Sequence, residues 1–140
     1  MTARAVLAVL ALAATTACSN SPTSPTPSAE VPDPITTPVT VTYPGVLGAG
    51  GSAARSFTAL IAGTARATVS GITPATPLVI GLGIPRADGS GCLLARSATA
   101  ADGSSATVSA NVDIGTFCAQ VLAPAALSGT VGFTVTLEHP

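Results

Sequence analysis

Between residues 39 and 139 the chain repeats one pattern, apolar side chains alternating with small or hydroxyl-bearing ones, and that pattern is the mark of β-strands. Residues 105–122 show it most clearly. Ala106, Val108, Ala110 and Val112 fall on one face, with Thr107, Ser109 and Asn111 on the other, because successive strand side chains point to opposite sides. Further on, Phe117, Ala119 and Val121 alternate with Cys118, Gln120 and Leu122. This second strand is apolar on both faces except at Gln120, as an inner strand covered on both sides would be. Between them, Asp113-Ile114-Gly115 has the Asx and Gly chemistry of a tight turn. The pattern predicts a hairpin with its turn at 112–115.

The same rhythm runs on either side. Val39, Val41 and Tyr43 share a face until Pro44-Gly45, where the strand is expected to stop. A turn at 48–52 leads to a strand over 55–61 that carries Phe57, and Ala65, Ala67 and Val69 alternate with Arg66, Thr68 and Ser70. Leu78, Ile80, Leu82 and Ile84 line one face of a run bounded by Pro77 and Pro85. On its other face, Gly81 and Gly83 leave room for a close neighbour, most simply another layer of the domain. Residues 88–91 read as a turn, 92–96 as a short strand, 124–129 as a loop and 132–139 as a last strand with Phe133, Val135 and Leu137 inward. No stretch shows a convincing helical period. The expected fold is all-β: an antiparallel β-sandwich, jelly-roll-like, of about eight strands over residues 39–140. Aromatics are only 3% of the chain, so the core must come from small side chains that each bury little area at roughly 25 cal/mol per Å². A crosslink would matter to such a domain.

Residues 1–17 read as an export signal. Arg4 precedes an uncharged Ala/Leu/Val run over 5–14, ten residues long. That is too short to span a bilayer, which takes about 20 residues, and suits a signal-peptide core. Thr15-Thr16-Ala17-Cys18 then resembles a bacterial lipoprotein lipobox, with Thr15 where that family usually has Leu. The resemblance implies acylation of Cys18 and attachment to a membrane, which is stable with two or more chains. Plain signal-peptidase cleavage after Ala17, leaving Cys18 as a free thiol, is the alternative. Residues 19–38 hold six prolines and eight Ser or Thr, a composition that cannot bury a core. With Cys18 they read as a tether, reaching up to roughly 60 Å in extended form. A Pro-rich recognition motif at Pro22-Thr23-Ser24-Pro25 is the less economical reading.

Charge excludes one class of partner. The chain has five Arg, no Lys, six acids and a net charge of −1, and its arginines are scattered singly. Nucleic-acid binding needs clustered cations, so none is expected. With Cys18 assigned to the anchor, Cys92 and Cys118 form an even pair in an exported chain and read as a disulfide. A zinc or redox site is the alternative, but neither cysteine sits in a CxxC motif and His139 alone cannot complete a tetrahedral site. His139, the only histidine, lies one place from the last residue given, where a general base is rarely held in a pocket. There is no Gly-x-Ser-x-Gly elbow, so no nucleophile is expected. Asp88, Asp102 and Asp113 sit in predicted turns and are weak calcium candidates, since turns at one end of a sandwich can gather carboxylates. Tyr43, Phe57, Phe117 and Phe133 are the only aromatics, and three fall on core faces, so a sugar-binding platform is not advertised.

Arg55-Ser56-Phe57-Thr58, the 65–70 strand, Gly115-Thr116-Phe117-Cys118 and the closing Phe133-Thr134-Val135-Thr136-Leu137-Glu138-His139-Pro140 together resemble the bacterial pre-peptidase C-terminal (PPC) domain over residues 44–140. Members commonly have Tyr at the position of Phe117 and a Gly/Asp-rich turn at that of Pro124-Ala125-Ala126. The resemblance implies a β-sandwich accessory or binding module with no catalytic residues. The expectation is therefore a non-catalytic lipoprotein, tethered in the cell envelope, with a binding or structural role and no cofactor. Its partners would be the membrane through the lipid anchor and an envelope protein or glycan. The alternatives are a carbohydrate- or calcium-dependent adhesion module, and a freely secreted or periplasmic location.

Overall fold

The computed structural model describes residues 37–140. The expected export signal, the Cys18 attachment site and the tether as far as residue 36 lie outside the described residues. The alternating segments form eight strands: β1 Val39–Leu47, β2 Ser52–Ala59, β3 Gly63–Thr73, β4 Leu78–Pro85, β5 Cys92–Ala100, β6 Ala106–Val112, β7 Gly115–Leu122 and β8 Val131–His139. They build two four-stranded sheets of order β1-β8-β3-β6 and β2-β7-β4-β5. All neighbours are antiparallel. The chain changes sheet at every connection except β4–β5. This is the jelly-roll form of the β-sandwich, as the alternation predicts.

That winding sorts the connections between two ends. The lower end carries the start of β1, the end of β8 and the connections at 60–62, 86–91 and 113–114. The upper end carries those at 48–51, 74–77, 101–105 and 123–130.

The expected hairpin at 112–115 is not formed. β6 pairs with β3, while β7 lies between β2 and β4 in the other sheet. Asp113 and Ile114 thus carry the chain from one sheet to the other. Alternation identifies each strand but not its partner, and a two-residue link serves an arch between layers as well as a hairpin. The inner position expected for β7 does hold. Phe117, Ala119 and Val121 face the core, and its outer face is covered at Cys118 and Gln120 by the segment entering β5.

Pro44-Gly45 does not end β1, which runs on to Leu47. β1 is an edge strand that pairs only with β8, and proline is tolerated where its missing N–H faces away from the sheet. Gly45 is required for a different reason: the Phe133 ring across the pair fills the space a Cβ would take. The close neighbour expected over Gly81 and Gly83 is present, but it is the adjacent strand β5 and not another layer. The Leu94 side chain lies over Gly81, and the Leu93 carbonyl passes over Gly83. β5 itself extends to Ala100, beyond the short strand expected.

Between the sheets lies one core. Leu78, Ile80, Val69, Val121, Val131, Val135 and Leu137 are its largest fully buried members, with Ala59, Ala65, Ala67 and Ala119 filling the narrow places. Phe133, Val135 and Leu137 point inward from β8 as expected.

Candidate functional site

The lower end is where the structure departs from a sealed sandwich. β2 brings Phe57 there and β7 brings Phe117, opposite one another in the register, with ring centroids 5.9 Å apart. β8 brings His139, whose ring centroid is 4.9 Å from that of Phe57. His139 is on the inward face of its strand and is buried. Its place one residue from the last given does not leave it exposed: strand alternation carries the core face of β8 through to residue 139, and the imidazole closes the core as a flat ring would. Its Nδ1 lies 3.2 Å from the Pro140 carbonyl oxygen.

Beside this ring cluster is a crevice of about 80 Å³, lined by Phe57, Phe117, Leu82, Ile84, Ala110 and Val112 among others. A space of that size admits a few carbon atoms and no metabolite, compared with the 300 Å³ and more typical of ligand pockets, roughly. Asn111, on its rim, accepts a hydrogen bond from Thr64 Oγ1 at 3.3 Å. Around the crevice the connections and the adjoining strand ends expose large apolar side chains. Leu60 is 74% and Ile114 73% exposed, and Ile61, Ile84 and Leu93 are exposed as well. The sequence reading missed this patch. Leu60 and Ile61 fall in the strand expected over 55–61, but β2 ends at Ala59 and leaves them in the connection.

The carboxylates do not gather. Asp88 is in the 86–91 connection and Asp113 in the 113–114 connection, at the lower end, whereas Asp102 is in the 101–105 connection at the upper end. The shared calcium site considered for these three is therefore not built, because the winding sends the β5–β6 connection to the opposite end. Among the described residues no group of three or more His, Cys, Asp or Glu could hold a metal ion. Asp88 has a local task instead: its Oδ1 accepts hydrogen bonds from Ser90 N at 3.0 Å and Ser90 Oγ at 2.7 Å. Those two bonds hold its carboxyl below the usual range, the backbone one first.

Cys92 and Cys118 form the disulfide expected of them, across 26 residues. The Cys92 N–H donates to Gln120 Oε1 at 2.9 Å, so the buried polar side chain on the outer face of β7 secures the same segment. Cys18, the expected lipid attachment site, lies outside the described residues. None of the four aromatics is an exposed platform for a sugar: Phe57 and Phe133 are buried, and Phe117 and Tyr43 are half-buried. The guanidinium of Arg55 stands 4.9 Å from the centroid of the Tyr43 ring. What this arrangement offers chemically is apolar contact at one end of a crosslinked sandwich. No protein-family model matches the chain, and no curated protein matches it either.

Proposed function

We propose that the protein is an exported, non-catalytic jelly-roll module of the cell envelope, anchored by acylation of Cys18 and held on the Pro/Ser/Thr-rich tether of residues 19–38, with a binding or structural accessory role. The observation that carries this reading is the Cys92–Cys118 disulfide. Disulfides persist in exported proteins and are rare in reducing compartments, and this one fits the export signal and lipobox resemblance at the other end of the sequence. A core of small side chains closed by a crosslink, with shape and apolar surface at one end, suits a module that works by contact. The likeness to PPC-type modules agrees with that role.

Intact mass of the mature protein, from membrane and soluble fractions and with and without reduction, tests the reading. The expected species is membrane-bound, begins at Cys18, carries acyl chains and gains the mass of two hydrogens on reduction. A soluble species cut after Ala17 and lacking acyl chains would replace the anchor with free secretion. Free thiols at Cys92 and Cys118 in the mature protein would remove its main support.

A further inference from the structure

Exposed apolar side chains are distributed very unevenly over the sandwich. Of the seven large ones among the described residues, Val39, Leu60, Ile61, Ile84, Leu93 and Ile114 belong to the lower end, and Val46 alone does not. Monomeric soluble domains scatter such residues singly, so a cluster marks a contact surface. The identity of that contact is suggested by where the chain enters the domain. β1 starts at Val39, which pairs with His139 at the lower end, so the tether of residues 19–38 joins the domain at the end that carries the cluster.

We infer that the lower end is a membrane-contact surface, with Leu60, Ile61 and Ile114 at the level of the lipid headgroups and upper acyl chains. This rests on the proposed anchoring at Cys18. A tether of 20 residues confines the domain to within its own length of the bilayer, and such confinement makes even weak apolar contacts effective. Leu60, Ile61 and Ile114 are on connections, and Val39, Ile84 and Leu93 stand at the strand ends beside them. The charged neighbours of this cluster suit an interface: Arg86, Asp88 and Asp113 flank the apolar tips and would remain in the hydrated headgroup layer, while the branched side chains sit deeper. With the lower end against lipid, the upper end, including the 123–130 connection, faces away and is free for other partners.

The chain contains no tryptophan, so single tryptophans report position without background. Leu60→Trp and Ile114→Trp mark the lower end, and Ser128→Trp, an exposed position, marks the upper. The full chain carrying each is purified from the membrane fraction and reconstituted into phosphatidylethanolamine/phosphatidylglycerol vesicles containing a brominated phospholipid. The expected result is severalfold stronger quenching at residues 60 and 114 than at 128. Equal quenching at both ends, or none in vesicle-bound protein, overturns the inference while leaving the anchor intact. If mass analysis finds the chain unacylated, the same variants are mixed with an excess of the same vesicles. A blue-shifted emission at 114 but not at 128 then upholds lipid contact without the anchor, and an unshifted one overturns it. A blue shift that depends on protein concentration in the absence of lipid would give this end to a second copy of the chain, and would also overturn the inference.

Discussion

Cys92 and Cys118 belong to strands that do not pair, with β4 lying between β5 and β7, yet their Cα atoms are only 6.1 Å apart. Two steps across a regular sheet cover about 9.6 Å. The shortening is made at Gly83. The β4–β5 register passes from Leu82 opposite Arg96 to Gly83 opposite Leu94, so Ala95 is an extra residue on β5. A bulge of this kind bends its strand, and here it folds the start of β5 over the outer face of β4 toward Cys118. The absence of a side chain at Gly83 is what makes the crossing possible.

Gly83→Ala is therefore expected to be much worse than Gly81→Ala. A Cβ on Gly83 would collide with the Leu93 carbonyl and the Leu94 Cα, which are backbone. A Cβ on Gly81 meets chiefly the tips of the Leu94 side chain, at 2.6 and 2.8 Å, and a side chain can turn aside. Overpacking costs about 1–3 kcal/mol when neighbours adjust. Gly81→Ala should fall in that range, and Gly83→Ala should exceed it and slow formation of the disulfide. Urea unfolding with thiol quantification checks both, and equal losses for the two variants would refute the crossing.

Removing the disulfide should weaken the domain without changing its fold. For a loop of 26 residues the chain-entropy relation gives roughly 3.5 kcal/mol at 25 °C. The Cys92→Ala/Cys118→Ala double variant is expected to keep its β-sheet circular dichroism and to lose about 3 kcal/mol in urea unfolding. A loss under about 1 kcal/mol would mean that the Cys92 N–H···Gln120 bond and the packing of β5 on β4 hold the crossing unaided.

Strand existence was legible in the sequence, since alternation survives in every segment that became a strand. Partnership was not. Asp113-Ile114-Gly115 looks the same whether it joins neighbours or crosses between sheets, and only the pairing of β6 with β3 and of β7 with β2 and β4 decides it. Pro44 carried a similar ambiguity, because a proline either ends a strand or marks an edge, and alternation alone cannot identify the edge. The disulfide was legible from cysteine parity taken with the expected export signal. The apolar lower end was not, because Leu60, Ile84, Leu93 and Ile114 are far apart in the sequence and meet only through the winding of the jelly roll.

Tyr43 offers a clean titration, since it is the only tyrosine and there is no tryptophan. Burial pushes its phenol up, and the Arg55 charge beside it pulls it partly back. Tyrosinate absorbance in the folded protein should thus appear above the usual phenol value of about 10. Arg55→Gln, by removing the opposing charge, should push it higher still. Because the folded state holds the proton more tightly, the stability linked to this group is complete below the unfolded value and is lost as pH rises through the folded one. A folded titration at or below the ordinary value would contradict the half-buried placement of the ring.

Pro44 should prove to be a guard on the edge of β1 rather than a support for the domain. It is exposed and sits opposite Thr134 on a strand with a neighbour on one side only, and proline belongs in an edge strand where its missing N–H faces solvent and not a partner. Pro44→Val restores an outward-facing donor to a strand whose free edge can then template another chain. The local cost is small: lost proline rigidity of about 0.4–1 kcal/mol is offset in part by the better strand propensity of valine. The expected outcome is a midpoint of unfolding nearly unchanged, together with concentration-dependent self-association in sedimentation velocity that exceeds that of the wild type. A large drop in stability with no association would show that Pro44 acts inside the sheet, and the edge assignment of β1 would have to be abandoned.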